Sequence, residues 1–136
     1  MNWSDRYVGL PAAKLGRDRQ GVDCWGLLRL VYREELQIDL PSYAGDYTDP
    51  AERDEVSRLI NAAEARGSWQ PAHVIRRFDA LVFGAGQYRT HIGVAVDRRR
   101  MLHVQGRDAA KIERFDQGRW QHRFKGAFRH VEGTIE

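Results

Sequence analysis

The 136-residue chain is 42% hydrophobic and 30% charged, carries a net charge of +3 at neutral pH, and contains one cysteine. This length and composition suit a single compact soluble domain spanning residues 1–136, and one cysteine excludes an intrachain disulfide. The basic residues are scattered, so no nucleic-acid groove is expected, and no apolar stretch approaches the roughly 20 residues that cross a bilayer.

The N-terminal stretch MNWSDRYVGL has neither a basic lead nor an apolar run of signal-peptide length, so we expect the chain to be made and folded in a cytoplasm. Residues 1–22 are predicted to be irregular, because glycine and proline interrupt them repeatedly. A first helix is predicted from an N-cap at Asp23 to about Gln37. Its apolar side chains recur at helical spacing, at Leu27, Leu28, Val31 and Tyr32.

A second helix is predicted after Asp49, which suits an N-cap and is followed by Pro50 at the first helical position. Glu52 lies three residues after the cap, and Gly67 stands where a helix-ending glycine is common. The apolar stripe of this helix comprises Val56, Leu59, Ile60 and Ala63. We expect this amphipathic helix to be structural.

From residue 80 onward the hydrophobic period becomes alternating, which indicates strands. The predicted strands cover residues 80–83, 91–96, 101–105, 111–115 and 126–131. Short connections between them favour antiparallel pairing. Helices followed by a strand meander predict an α+β fold, in which the N-terminal helices pack on one face of an antiparallel sheet of about five strands.

Cys24 is the candidate reactive residue, because it follows the predicted N-cap and lies in the first turn of the first helix. The positive end of the helix dipole and the free amide hydrogens there predict a lowered thiol pKa and a populated thiolate. The same amides would stabilise an oxyanion formed when the sulfur attacks a carbonyl. Position alone leaves open the alternative that Cys24 is a small buried hydrophobic residue.

Two histidines on consecutive predicted strands favour the reactive interpretation. His91 begins one strand and His103 lies on the next, so a hairpin can place both on one face of the sheet. A thiolate nucleophile needs an imidazole that is held by a third polar group, and this pair supplies both. Gly93 and Ala95 share the face of His91, and their small size is expected to let the cysteine-bearing helix approach closely.

The register of this hairpin stays open. A loop centred near Asp97 would set His103 directly across from His91. A loop centred on Arg99 would separate the two histidines by two residue pairs, roughly 13 Å. The cysteine and the two histidines could also form a three-ligand zinc site, but structural zinc usually takes four ligands, and we expect no metal.

Four motifs in order, GVDCWGL, FDALVF, THIGVAV and MLHV, resemble those of the NlpC-type cell-wall peptidases, over a span from about Tyr7 to about Arg129. The resemblance implies one papain-like cysteine-peptidase domain that needs no cofactor. It also implies that Cys24 is the nucleophile, His91 the general base and His103 the residue that orients the base. Members of the family hydrolyse peptide bonds in the stem peptides of peptidoglycan, typically between D-glutamate and diaminopimelate, so a stem peptide is the expected substrate.

Asp23, Trp25 and Thr90 adjoin these residues in the sequence and are candidates to bind substrate, with two alternatives open for Trp25: a wall of the cleft or packing in the core. The chain departs from the family pattern at three places. The family usually has serine where Trp25 stands, and many members carry a tyrosine where Ala12 stands. The family's Gly-Asp before the next strand is replaced by Phe78-Asp79. These departures leave the triad in place and concern substrate specificity.

The DCWGL variant, the segment LPSYAGDY and the ending FRHV resemble a narrower branch of the family, found at the tail tips of phages and phage-derived particles. This resemblance implies a virion component made in the host cytoplasm, which contacts tail-tip or baseplate proteins in addition to peptidoglycan. Two alternatives stay open: a structural tail component that uses the peptidase fold mainly for docking, and an amidase or acyltransferase of the same fold.

Overall fold

The computed structural model of the chain describes residues 2–43 and 53–132. The elements in chain order are β1 (Arg17–Asp18), β2 (Gly21–Val22), α1 (Cys24–Val31), α2 (Arg53–Ala65), β3 (Trp69–Pro71), β4 (Ala80–Ala85), β5 (Tyr88–Ala95), β6 (Arg100–His103), β7 (Lys111–Arg114), α3 (Gly118–Arg123) and β8 (Phe124–His130). A short 3-10 helix (Trp3–Arg6) precedes β1, and a π-helical turn (Tyr32–Leu36) follows α1 directly.

Six strands form one antiparallel sheet in the order β3-β8-β4-β5-β6-β7, and β1 pairs with β2 in a separate hairpin. The sheet separates two hydrophobic layers. One layer joins α1 and α2 to Ile92 and Val94 of β5, and the other joins Trp120 of α3 to Phe83 of β4. The predicted α+β class is confirmed, with the correction that α3, which the sequence pattern does not predict, covers the face opposite to the N-terminal helices.

The sheet has one more strand than the pattern predicts. The five predicted strands correspond to β4, β5, β6, β7 and β8. The additional strand, β3, is three residues long and pairs only with β8 at the edge of the sheet. Three residues are too few to show an alternating pattern, so a strand this short leaves no sequence signal.

α1 begins at the predicted residue. The carboxylate of Asp23 accepts a hydrogen bond from the backbone N–H of Gly26 at 2.8 Å and satisfies one of the free amides of the first turn. The buried side chains of α1 include Leu27, Leu28 and Val31 of the predicted apolar face. The π-helical turn continues the helix to Gln37, whose φ of 55° lies in the left-handed region, so the predicted end is also confirmed.

The β1–β2 hairpin is fixed against the N-terminus of α1. Arg17 of β1 forms an ion pair with Asp23 at 2.7 Å, and both side chains are largely buried. Gly26 permits the close approach, because a Cβ at this position would lie 1.9 Å from the carbonyl oxygen of Gly16. The hairpin therefore places the preceding segment, residues 12–14, beside Cys24.

α2 packs on the same face of the sheet as α1. Ile60 and Ala63 of its predicted apolar stripe are buried, and Gly67 ends the segment with a φ of 79°. The predicted capping residues Asp49, Pro50 and Glu52 lie outside the described residues. No helix in the described part of the chain is long and apolar enough to cross a membrane.

Phe78, which replaces the family's glycine, adopts a backbone conformation that favours glycine, with a φ of 73°. Its ring packs against Trp3 at 4.6 Å, its N–H donates to the carbonyl of Ala95, and its carbonyl accepts from the hydroxyl of Tyr32. The adjacent Asp79 accepts a bidentate pair of hydrogen bonds from Arg129. These contacts hold Phe78 and Asp79 in place at the turn into β4.

Candidate active site

Cys24 and His91 line one cleft with a cavity volume of about 620 Å³. One wall is formed by residues 12–14, which the β1–β2 hairpin places beside the start of α1. The opposite wall is formed by residues 104–107, which follow β6, and by Trp120 of α3. The cleft therefore brings the first turn of α1 and the first half of β5 to one surface.

The cleft opens where β5 and β6 stop pairing. Their register pairs are Val94 with Leu102 and Ala95 with Met101, both close to the turn. The preceding part of β5 is therefore free to meet α1. There the backbone N–H groups of Ile92 and Trp25 hydrogen-bond the sulfur of Cys24 and favour its charged form.

The two predicted histidines are in direct contact. Nε2 of His91 lies 2.8 Å from Nδ1 of His103. The pairing of Val94 with Leu102 centres the hairpin on Arg98, midway between the two registers that the sequence left open. His103 thus stands opposite Gly93, and its ring reaches His91 along the diagonal of the sheet.

The predicted role of the small residues beside His91 is wrong. α1 packs on the other face of the sheet, against Ile92 and Val94, so Gly93 does not make room for the helix. A Cβ at Gly93 would instead lie 2.7 Å from the sulfur of Met101 and 3.5 Å from Cβ of His103. Gly93 therefore makes room for the neighbouring strand that carries His103.

The predicted lowering of the thiol pKa is also wrong for the resting protein. Burial, followed by the negative charge of Asp23, raises the pKa of Cys24 to about 12. The amide hydrogens of Ile92 and Trp25 and the charge of Arg17 act in the opposite direction but do not outweigh these effects. The sulfur is therefore a neutral thiol near neutral pH, although the residue is partly exposed to the cleft.

His91 is likewise neutral at rest. Burial lowers its pKa to about 3, and the positive charges of Arg119 and Arg123 act in the same direction, as would protonation of His103. Trp120 stacks on the His91 ring with a centroid distance of 4.9 Å. A neutral imidazole has a free lone pair and can accept a proton from the thiol as the sulfur attacks.

Residues 14–129, most of the chain, match the NlpC/P60 family. The chain belongs to this family. A protein of Escherichia coli K12 named murein DD-endopeptidase MepS/murein LD-carboxypeptidase is 21% identical over 114 residues, which cover 84% of this chain and 52% of that protein. The chain thus spans about half the length of the curated relatives it matches.

Two solved structures of NlpC/P60 proteins share the fold. A Staphylococcus aureus Mu50 protein described as similar to a lipoprotein of the NLP/P60 family has a TM-score of 0.65 and 22% identity, covering 94% of this chain and 39% of its own. The NlpC/P60 domain of the peptidoglycan hydrolase SagA has a TM-score of 0.57 and 20% identity, covering 82% of both chains. The predicted NlpC-type, papain-like fold is confirmed.

The three residues predicted to bind substrate differ in position. Asp23 and Thr90 line the cleft, and Asp23 also caps α1. Trp25 is buried in the core, where its indole N–H donates to the carbonyl of Pro41 and its ring packs against Tyr43. It therefore does not form a wall of the cleft, because the side chain after the nucleophile points into the protein.

Ala12 stands where many family members carry a tyrosine, and it lines the cleft together with Ala13 and Lys14. Its methyl side chain offers no hydroxyl group at this place. The departure at Ala12 is thus located at the surface that a substrate would contact.

Glu113 and Trp120 belong to the site but were not among the sequence candidates. Oε1 of Glu113 lies 2.9 Å from Nε2 of His103, and Trp120 contacts both histidine rings. The alternation of the KIERF strand places Glu113 on the same face as Lys111, which pairs with His103. Once β6 and β7 are paired, Glu113 becomes a candidate. Trp120 has no such signal, because its helix is only six residues long.

The zinc alternative gains no support. Among the residues that the structure describes, no three histidine, cysteine, aspartate or glutamate side chains form a group that could hold a metal ion.

Proposed function

We propose that this chain is a cysteine peptidase that hydrolyses peptide bonds in the stem peptides of peptidoglycan. The observation that carries the proposal is the cleft itself, which joins Cys24, at the N-terminus of a helix, to His91, whose ring is held by His103. A sulfur nucleophile beside an oriented imidazole is the arrangement that acyl transfer requires. The names of the relatives, a murein endopeptidase and a peptidoglycan hydrolase, support the choice of substrate.

In the proposed reaction the sulfur of Cys24 attacks the carbonyl carbon, and His91 accepts the thiol proton at Nδ1, since its Nε2 contacts His103. The backbone N–H of Cys24, in the first turn of α1, supplies part of the oxyanion hole. His91 returns the proton to the departing amine as the C–N bond breaks and an acyl-enzyme forms. A water molecule, deprotonated by His91, then hydrolyses the thioester and releases the acid. General-base attack suits a thiol and an imidazole that are both neutral at rest.

The charge of the cleft supports a carboxylate-bearing peptide as substrate. Lys14, Arg107 and Arg123 line the cleft and have exposed side chains. Asp23, the acidic residue among the lining residues, forms an ion pair with Arg17. The net positive charge along the cleft attracts anionic groups, and stem peptides carry free carboxylates.

The finer part of the proposal places the enzyme at the tail tip of a phage or phage-derived particle, where it opens the cell wall for genome delivery. The support is the resemblance of DCWGL, LPSYAGDY and FRHV to the tail-associated branch. Its partners there would be tail-tip or baseplate proteins. Immunogold labelling of purified particles with an antibody against this chain tests the location, and label distributed over the capsid or absent from particles contradicts it.

Digestion of purified sacculi tests the activity. Wild-type protein is expected to release muropeptides whose new termini, determined by mass spectrometry, identify the cleaved bond. Cys24→Ala and His91→Ala are expected to abolish release, whereas His73→Ala, a change at an exposed histidine that does not line the cleft, is expected to leave it unchanged. Equal digestion by Cys24→Ala and wild type would reject the peptidase mechanism. Products cut at an amide bond to sugar would favour an amidase.

One observation favours the docking alternative, in which the fold serves assembly. The raised pKa of Cys24 leaves the sulfur in its less reactive form near neutral pH. Docking predicts that particles carrying Cys24→Ala infect as well as wild type, because assembly does not use the sulfur. The peptidase proposal predicts that such particles assemble normally and deliver their genome less efficiently through an intact wall.

A further inference from the structure

A chain of two hydrogen bonds connects His91 to a residue outside the predicted triad. Nε2 of His91 lies 2.8 Å from Nδ1 of His103, and Nε2 of His103 lies 2.9 Å from Oε1 of Glu113. Both ring nitrogens of His103 are therefore engaged. His103 is completely buried, whereas Glu113 is about one-third exposed, so the chain runs from the cleft through the protein to the surface of β7.

The direction of these bonds follows from the chemistry of the carboxylate. An ionised carboxylate only accepts, so Nε2 of His103 must carry the proton that it donates to Glu113. Burial lowers the pKa of His103, and a neutral imidazole has one N–H, so Nδ1 of His103 is an acceptor. Nε2 of His91 must then be the donor, and Nδ1 of His91 holds the lone pair.

Glu113 is held in the ionised form by its neighbours. Burial alone would raise its pKa, but the hydrogen bond from His103, with the electrostatic effects of His103 and Lys111, outweighs burial and lowers it. Nζ of Lys111 lies 3.8 Å from Oε1 of Glu113. Trp120 meets the His103 ring edge-on at 5.0 Å and stacks on His91. Its indole shields the two rings from solvent.

We propose that Glu113 is a positioning residue that sets the tautomers of His103 and His91, so that Nδ1 of His91 is the nitrogen able to take the proton of Cys24. The expected change in kcat rests on the proposed function, whereas the assignment of the protonated ring nitrogens does not. Without Glu113, Nδ1 of His103 is free to carry the proton and to donate it towards His91. His91 would then place its own proton on Nδ1, facing the nucleophile, and could not act as a base.

The test compares Glu113→Gln and Glu113→Ala with Asp108→Asn in the full chain. Glu113→Gln keeps the shape of the side chain, but its amide can donate as well as accept, so the tautomer of His103 is no longer imposed. Asp108→Asn removes a neighbouring negative charge that lies 3.7 Å from Lys111 and is outside the hydrogen-bond chain. Long-range 1H–15N spectra report which ring nitrogen of each histidine is protonated, and steady-state hydrolysis of muropeptides gives kcat and KM separately.

In the wild type and in Asp108→Asn, we expect protonated Nε2 and unprotonated Nδ1 on both histidines. Both Glu113 variants should show protonation of Nδ1 on His103, with kcat about 10- to 100-fold lower and KM unchanged, by analogy with carboxylates that orient metal-binding histidines. Unchanged tautomers in the two Glu113 variants would overturn the proposal, as would changed tautomers with an unchanged kcat. If the wild type hydrolyses no muropeptide, the spectra still show which ring nitrogens are protonated. The missing hydrolysis then contradicts the proposed function and not the role of Glu113 in setting the tautomers.

Discussion

Nδ1 of His103 lies at hydrogen-bond distance, 2.8 Å, from Nε2 of His91, although the strand register sets His103 opposite Gly93. The contact runs diagonally across the two strands. It depends on Gly93, because the missing side chain there leaves room for the His103 side chain. A Cβ at Gly93 would lie 3.5 Å from Cβ of His103 and 2.7 Å from the sulfur of Met101. The orientation of the base is therefore coupled to the packing of the β5–β6 hairpin, which also shapes the cleft.

Gly93→Ala tests this coupling. The added methyl group displaces Met101 and the β6 strand, so we expect the free energy of unfolding to fall by about 1–3 kcal/mol and muropeptide hydrolysis to fall as well. The measurement is urea unfolding together with hydrolysis. In a Met101→Ala background the same change should cost less, because the obstructing sulfur is absent. Additive effects of the two substitutions would contradict the steric explanation.

Arg17→Gln tests the ion pair that anchors the β1–β2 hairpin to α1. The substitution leaves the Asp23 carboxylate 5% exposed and without its cationic partner, so we expect a loss of roughly 3 kcal/mol in the free energy of unfolding. Arg33→Gln is the matched control, because its pair with Asp39 is well exposed and should contribute less than about 1 kcal/mol. Chemical denaturation of both variants gives the comparison. Equal losses in the free energy of unfolding would show that the buried ion pair stabilises the protein no more than the exposed one.

The candidate site residues could be proposed from the sequence, because each stands at a position with its own local signal. Cys24 follows an N-cap aspartate, and the even spacing of His91 and His103 places both on one face of a hairpin. The register could not be predicted. The turn is set by the Asp97 carboxylate, which accepts from the backbone N–H groups of Arg99 and Arg100, and a run of three arginines does not reveal which one lies at the tip.

The protonation states and the outer part of the site depend on long-range packing. The first turn of a helix predicts a lowered thiol pKa, but burial reverses the shift at Cys24, and burial is a property of the folded chain. Glu113 reaches His103 only after β6 and β7 pair, and Trp120 covers both histidines from a helix too short to predict. Local patterns thus suggest Cys24 and His91 as candidate reactive residues, whereas tertiary contacts decide how their side chains are charged and oriented.

The neutral state of His91 predicts that acid destabilises the protein. Below its ordinary pKa of about 6.5, the unfolded chain binds a proton at His91 that the native chain does not bind until about pH 3. The unfolded state therefore holds more protons, and the free energy of unfolding falls as the pH falls through this window. Between pH 7 and pH 5, wild type should lose roughly 2 kcal/mol more than His91→Gln. Parallel losses in urea unfolding would contradict this, because they would show that His91 takes up its proton at the same pH in the native and unfolded chains.

The alkylation rate of Cys24 tests whether burial outweighs the helix N-terminus at the nucleophile. Because burial raises the thiol pKa to about 12, the thiolate is scarce at pH 8, and reaction with iodoacetamide should be on the order of 1,000-fold slower than in the urea-unfolded chain. The native rate should still be rising at about pH 10, because the native thiol pKa is raised, whereas the unfolded chain levels off near its ordinary thiol pKa of about 8.5. The single cysteine makes the readout specific, since no other thiol can react. A native rate that levels off near neutral pH would instead show a thiolate paired with protonated His91, and the general-base step would then be replaced by attack from a preformed ion pair.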